Sequence, residues 1–238
     1  MLEVSVTATA GQADPGRLAG KAAVVIDILR ATSVMVTALH NGAAGIIPVA
    51  SPEEAQSLKA PGSLLCGERD AIRIDGFDLG NSPLDFTPER VTGKTLVMTT
   101  TNGTQAILKS FSARVVMIGS FLNLDRIVHE IIRMKLPVEL VCAGTRGEFS
   151  LDDFLFAGAV ASNLERAVSI QGTDLTMLAI SAWKQAEPDL HSTLESCTHY
   201  RYLKKLGFTK DLAYCFNLNL HPVLPLLQTE SGKIVLIK

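Results

Sequence analysis

The chain has 238 residues, 22 basic against 24 acidic, for a formal net charge of −2. That near balance offers no global attraction to nucleic acid or to an anionic membrane. Hydrophobic residues make up 47% and charged residues 19%, which excludes wholesale disorder. A chain of this size buries roughly 70–75% of its unfolded surface and needs no metal or disulfide staple. Cys66, Cys142, Cys197 and Cys215 form no C-x-x-C pair, which favours structural thiols in a reducing compartment. Mean hydropathy is positive, yet no run of about 18 uncharged apolar residues exists, and the most apolar stretch, 22–39, carries Asp27 and Arg30. No charged n-region with a cleavage site opens the sequence. The expectation is a soluble, cytoplasmic protein with no nucleic-acid or membrane partner.

In chain order, residues 4–9 alternate as a first strand, and a loop with Gly11, Pro15 and Gly20 follows. Residues 22–26 form a continuous apolar run, as a strand buried on both faces does. Ala31, Val34, Met35, Ala38 and Leu39 fall at helical spacing before Asn41-Gly42. Residues 45–49 read as a strand, and Pro52 with Glu53 and Glu54 opens a helix. Residues 66–83 show no element of their own. Strands are predicted at 95–99 and 114–118 around a helix at 103–110, then an Asn123-capped helix striped by Leu124, Ile127, Val128, Ile131 and Ile132. A strand at 138–142 precedes a helix from a Ser150 cap to about Val168; 174–217 is helical, and 234–237 closes the chain as a strand, antiparallel or at an edge. This alternation predicts a single α/β domain: three layers, a mostly parallel, mixed central sheet, and a helical C-terminal block.

In such sheets ligands bind beyond the carboxyl ends of the strands, and four of those ends carry polar clusters. In IDILRATS (26–33), Asp27 ends a strand while Arg30, Thr32 and Ser33 open the next helix, where an anion is favoured. The plainer reading makes Asp27 or Ser33 a cap and Arg30 a surface residue. The segment CGERDAIRIDGFDLGNSP (66–83) holds Glu68, Arg69, Asp70, Arg73, Asp75 and Asp78. A loop that long is functional or a solvated charge mesh. In MTTTNGT (98–104), Thr101, Asn102, Gly103 and Thr104 surround a helix start in a composition suited to phosphate, or simply cap it. In VCAGTRGEFSLDD (141–153), Arg146 and Glu148 lie in a turn, and Ser150 with Asp153 resembles a capping box.

Together these ends supply the carboxylates Asp27, Glu68, Asp78, Glu148 and Asp152 and the cations Arg30, Arg69 and Arg146. Hard oxygen ligands with few histidines point to Mg²⁺ rather than zinc. No G-x-x-x-x-G-K-[ST], G-x-S-x-G, G-x-G-x-x-G or D-x-D-x-T pattern is present, so nucleotide loops, a serine triad and a paired-aspartate phosphoenzyme lack their motifs.

At these motifs, and at GSFLN (119–123) and THYRYLKKLGFTKDL (198–212), the sequence resembles the 2-phosphosulfolactate phosphatase family of coenzyme M biosynthesis along nearly its whole length. Departures stand at Asp70-Ala71, where the family tends to carry Gly-Gly, at 73–75, and at Asn219 in place of Asp. The resemblance implies a Mg²⁺-dependent acid phosphatase that converts (2R)-2-phospho-3-sulfolactate to 3-sulfolactate and phosphate. On that reading Asp27, Glu68 and Arg30 are catalytic. Arg69, Thr101, Asn102, Gly103, Thr104 and Arg146 bind a small, multiply anionic phosphoester, and Asp27, Glu148 and Asp152 hold Mg²⁺. The alternatives are a phosphatase of another small phosphoester, or a non-catalytic sensor of a phosphorylated metabolite. His199 and Arg201 reach the substrate or merely line a solvated helix; Trp183 and Tyr202 are expected in the core or an interface, and a homodimer is expected.

Overall fold

The computed structural model describes residues 1–236; Ile237, the predicted end of the last strand, lies outside them. Runs of β-branched and small apolar residues set the strands. In chain order they are β1 (Leu2–Thr7), β2 (Ala22–Ile26), β3 (Gly45–Pro48), β4 (Ser63–Arg69), β5 (Ile72–Arg73), β6 (Thr95–Thr99), β7 (Val115–Gly119), β8 (Val138–Cys142), β9 (Ile170–Gly172), β10 (Pro225–Gln228) and β11 (Lys233–Leu236). The first helices are α1 (Pro15–Leu18), α2 (Ala31–His40), α3 (Pro52–Ser57), α4 (Pro88–Val91), α5 (Gly103–Lys109) and α6 (Leu124–Met134). They are followed by α7 (Leu151–Ala167), α8 (Asp174–Ala186), α9 (Leu190–Glu195), α10 (Thr198–Lys205) and α11 (Thr209–Cys215).

The described strands form one sheet in the order β5-β4-β6-β3-β11-β10-β7-β2-β8-β1-β9. Two blocks within it are parallel: β4-β6-β3, and β7-β2-β8-β1-β9. The C-terminal hairpin β10-β11 is inserted between them, each strand pairing antiparallel with its block through Leu226↔Met117 and Ile234↔Ile46. From β7 to β3 there are three antiparallel steps, so the two parallel blocks run in opposite senses. With a twist of roughly 20–25° per strand, they cross steeply rather than sharing one edge.

Every position of β2 is buried, and its alternating side chains serve two cores. Ala22, Val24 and Ile26 pack with Phe121, Ile127, Phe156 and Trp183 under α6, α7 and α8; Ala23 and Val25 pack with Val34, Met35, Ala106 and Ile107 of α2 and α5. That sandwich gives the three-layer α/β/α fold, with Trp183 in the core.

Three local expectations are corrected. Residues 66–83 are not elementless: Cys66 to Arg69 complete β4, which turns tightly into β5. Its strand character was hidden because the charged end of β4 breaks the apolar pattern. Asn123 stands at the N-cap of α6 as expected, but its side chain makes no capping bond: its Oδ1 accepts from Ser120 N, and its Nδ2 donates to the carbonyl oxygens of Ile118 and Val223. Ser150 likewise stands at the N-cap of α7 without a capping bond, because its hydroxyl donates to Asp152 Oδ1 at 2.6 Å.

Near the start of β8, Glu139 is buried and accepts from Ser5 Oγ (2.5 Å), Thr7 Oγ1 (2.7 Å) and Lys21 Nζ (2.8 Å). Burial works to raise its pKa, but the bonds from Lys21, Ser5 and Thr7 outweigh it and hold the carboxyl below its ordinary value. A depressed folded pKa stabilises the native state above the ordinary 4.5, and that contribution is lost as the pH falls through the folded value. Glu139→Gln should therefore cost about 2–3 kcal/mol at pH 7 and progressively less in acid, measured by urea melts. An equal cost at pH 7 and pH 3.5 contradicts this assignment.

Candidate active site

The carboxyl ends of both blocks open into one cavity of about 530 Å³. From β2 comes Asp27, whose Oδ1 accepts from Ala31 N at 3.1 Å and so starts α2. Its other oxygen abuts Gly103 at the start of α5: a Cβ there would stand 2.7 Å from Asp27 Oδ2 and 2.6 Å from Ala31 Cβ. The absence of a side chain at 103 is what lets the β6 end close onto the β2 end.

Glu68, at the end of β4, is fixed by two backbone donors, Thr101 N to Oε1 (2.7 Å) and Ala71 N to Oε2 (2.8 Å). Asp152, in the first turn of α7, takes the Ser150 hydroxyl on Oδ1. Next to it, Asp153 points inward, accepting from Ile28 N (2.9 Å) and Gly144 N (3.0 Å) and tying the ends of β2 and β8 together. Burial, with the charges of Asp152 and Asp27 adding to it, pushes the Asp153 carboxyl well above its ordinary value. Asp27 is pushed up to about 7, first by burial and then by the charges of Asp152 and Glu68, against the Ala31 hydrogen bond and the charge of Arg30.

Of the residues singled out from sequence, Asp27, Glu68, Asp152, Arg30, Thr101, Asn102, Arg146 and Glu148 line this cavity. Arg69, Gly103 and Thr104 do not. Arg69 neighbours Glu68 on a strand, so it projects from the opposite face, where it donates to Thr99 Oγ1 at 3.0 Å. Thr104 is spent on Thr100: its N–H donates to Thr100 Oγ1 and its hydroxyl to the Thr100 carbonyl. With Thr101 N given to Glu68, the TTTNGT segment is not an open phosphate cradle. What it presents instead is the Thr101 hydroxyl, buried and without a hydrogen-bond partner.

The cations also differ from expectation. Arg30 is buried, paired to Asp211 at 2.5 Å and stacked on Phe208 at 3.9 Å, so its charge is fixed within the cavity wall. Arg146 is exposed at the mouth, its backbone N–H bound to Asn102 Oδ1 (2.9 Å) and its guanidinium paired with Asp70. Asp70 and Ala71 form the β4-β5 turn with φ of 53° and 65°, a left-handed conformation that glycine adopts freely. Glu148 lies exposed on the rim, lifted by the Thr145–Glu148 turn, and is not among the charges acting on Asp27. Glu68, not Glu148, is the third carboxylate beside Asp27 and Asp152.

Sequence reasoning missed Asn81 and treated His199 and Tyr202 too lightly. Asn81 and His199 line the cavity, as does Tyr202, whose hydroxyl donates to the Asp70 carbonyl at 3.0 Å. Helical spacing was the available signal, since 199 and 202 share one face of α10.

Five carboxylates (Asp27, Glu68, Asp70, Glu148, Asp152) face two arginines on the lining. Among the described residues no three His, Cys, Asp or Glu side chains converge tightly enough to chelate a metal alone. Mg²⁺ takes one or two carboxylates and completes its shell with water and substrate oxygens. The free oxygens of Asp27 and Asp152 are a fitting hard-oxygen pair.

A carboxyl raised to about 7 favours the folded state below its ordinary 3.8, and that contribution is lost as the pH climbs to the folded value. In EDTA, Asp27→Asn should thus be more stable than the native chain at pH 8, by about 3 kcal/mol, with the gap closing toward pH 5. A pH-independent difference in urea melts counts against a buried charge at Asp27.

The family model for 2-phosphosulpholactate phosphatase matches residues 9–230. Proteins named "Probable 2-phosphosulfolactate phosphatase" are similar along most of their length. One from Thermotoga petrophila is 46% identical over 207 residues, 87% of this chain and 89% of that one. Another, from Caldanaerobacter subterraneus subsp. tengcongensis, is 42% identical over 212 residues, 87% and 88% of the two chains. A third, from Clostridium acetobutylicum, is 39% identical over 238 residues, covering 98% of this chain and all of its own. With the strand ends gathered as those motifs require, the chain belongs to the 2-phosphosulfolactate phosphatase family.

Proposed function

We propose that this chain is a Mg²⁺-dependent phosphatase that hydrolyses (2R)-2-phospho-3-sulfolactate to 3-sulfolactate and phosphate, a cytoplasmic step of coenzyme M biosynthesis. The observation that carries the reading is the group Asp27, Glu68 and Asp152, set on three different elements around one cavity, in a chain whose relatives bear that activity's name. No helix among the described residues is long and apolar enough to cross a membrane, which agrees with a soluble enzyme.

The charge of the lining supports a cation as cofactor. A substrate with phosphate, sulfonate and carboxylate groups meets more carboxylates than arginines on the lining. Asp27 and Asp152 would hold Mg²⁺, with Glu148 as a further carboxylate at the rim, and the ion would offset most of that excess; when bound it would neutralise phosphoryl oxygens and polarise phosphorus. Glu68, immobilised by its two backbone donors, orients the attacking water and receives its proton. The unpartnered Thr101 hydroxyl donates to a phosphoryl oxygen. Arg146 exchanges its exposed Asp70 partner for an anionic group of the substrate, at little cost because a surface pair is worth about 0–1 kcal/mol. Arg30 supplies a fixed positive charge from the cavity wall.

Purified protein should release phosphate from phosphosulfolactate with Mg²⁺ and lose nearly all turnover in EDTA. Phospholactate and phosphoglycolate, which lack the sulfonate, should be slower by at least about tenfold, or roughly 1.4 kcal/mol. No phosphate from any of the three with Mg²⁺ present would falsify the reading. Gly103→Ala, whose methyl collides with Asp27 and Ala31, should cut kcat about 100-fold while the chain still folds. Near-native turnover in that variant removes Asp27 from the site.

A further inference from the structure

The chain has five histidines, and His199 alone among them lines the cavity. It stands in the first turn of α10, half-buried, with Nε2 2.7 Å from the carbonyl oxygen of Leu29. A carbonyl oxygen only accepts, so Nε2 carries the hydrogen, and Nδ1 is the nitrogen left to gain and lose a proton. Leu29 lies two residues after Asp27, so this bond anchors the ring beside the segment that would meet the phosphoryl group.

Other proton carriers on the lining are otherwise engaged. The Tyr202 hydroxyl is given to Asp70. Burial pushes the Cys197 thiol up to about 12, with the charge of Asp152 adding to it. No lysine lines the cavity; Asp27, Glu68 and Asp152 serve the cation and the water, Asp70 is paired with Arg146, and Glu148 stands exposed on the rim. The ester of a hydroxyacid has a basic alkoxide as its leaving group, and expelling it without a proton is costly; general acid catalysis is worth about 10²–10⁴-fold.

We propose that His199 is the general acid of the reaction: its Nδ1–H protonates the ester oxygen as the bond from phosphorus to that oxygen breaks. This rests on the phosphatase reading above. The water oxygen forms the new bond to phosphorus and passes one proton to Glu68. The electron pair of the breaking bond goes to the ester oxygen, which takes the His199 proton and departs as the product's hydroxyl. Glu68 then releases its proton to solvent and His199 takes one back, so each turnover consumes one ester and one water.

The test is the dependence of kcat on leaving-group acidity, read on alkyl and aryl phosphate esters that the native chain turns over, phospholactate and 4-nitrophenyl phosphate first. In His199→Gln, an amide N–H remains available to Leu29 but no transferable proton does. Turnover of the alkyl ester should fall about 10²–10³-fold and that of the nitrophenyl ester, whose leaving group needs no proton, less than about fivefold. An equal fall on both esters, or none on the alkyl ester, overturns the assignment. Melting curves establish that the variant is folded; should it not be, His199→Asn is read by the same criterion. If the native chain itself hydrolyses no phosphomonoester with Mg²⁺, the phosphatase reading has failed, and the native assay shows that separately from any variant.

Discussion

Buried carboxylates taken up by the backbone amides of neighbouring loops are the constraint on which this site depends. A charged oxygen removed from water must find donors or lose its charge. Here the donors belong to other segments: Glu68 from β4 takes the N–H of Thr101 beyond β6, and Asp153 from α7 takes those of Ile28 and Gly144 beyond β2 and β8. Asn102 Oδ1 adds a neutral link to the Arg146 amide. Hydrogen bonds contribute about 0.5–1.5 kcal/mol each and more where the acceptor is charged, which in sum is enough to hold Gly- and Thr-rich turns in one arrangement. The acidic residues thus fix the loop geometry before any of them performs chemistry.

The same net leaves more negative charge than it neutralises. Asp27 is pushed up to about 7 because burial, Asp152 and Glu68 together outweigh one backbone bond and the charge of Arg30. Arg30 is itself held by Asp211, which also takes the Ser82 hydroxyl at 2.9 Å, so it is not free to turn inward and cancel the surplus. A carboxylate net in this state costs stability, and the cation proposed above would relieve that cost. Stability and binding are opposed at Asp27, and the Glu139 cluster at the far end of β8 shows the contrast: there Lys21 and two hydroxyls satisfy the carboxylate locally.

Much of the fold was legible because burial on two faces leaves a plain record: 22–26 reads as strand on composition alone, and every one of those positions is buried. The polar strand ends that meet at the cavity were legible for the opposite reason, since charges at the tips of apolar runs have few structural uses. What the sequence does not display is which donors are already taken. Thr100 and Thr104 look like phosphate ligands by composition and are satisfied by each other. Arg69 leaves the cavity because 66–69 is strand rather than loop, so that Glu68 and Arg69 point to opposite faces. The link between His199 and Leu29 joins residues 170 positions apart, and no local pattern encodes it.

The topology explains how two acidic ends come to face each other. In a purely parallel sheet, carboxyl ends line one edge, and residues several strands apart are too distant to share a small ligand. Here the β10-β11 hairpin separates blocks of opposite sense, and the twist accumulated across it swings the end of β6 toward the end of β2. Strands five places apart in hydrogen-bonding order thereby meet at Gly103 and Asp27, where any larger residue would hold them apart. The hairpin contributes none of the cavity's lining. Its role is geometric, and a change that loosened Leu226 or Ile234 would act on Asp27 through the relative placement of two blocks rather than through contact.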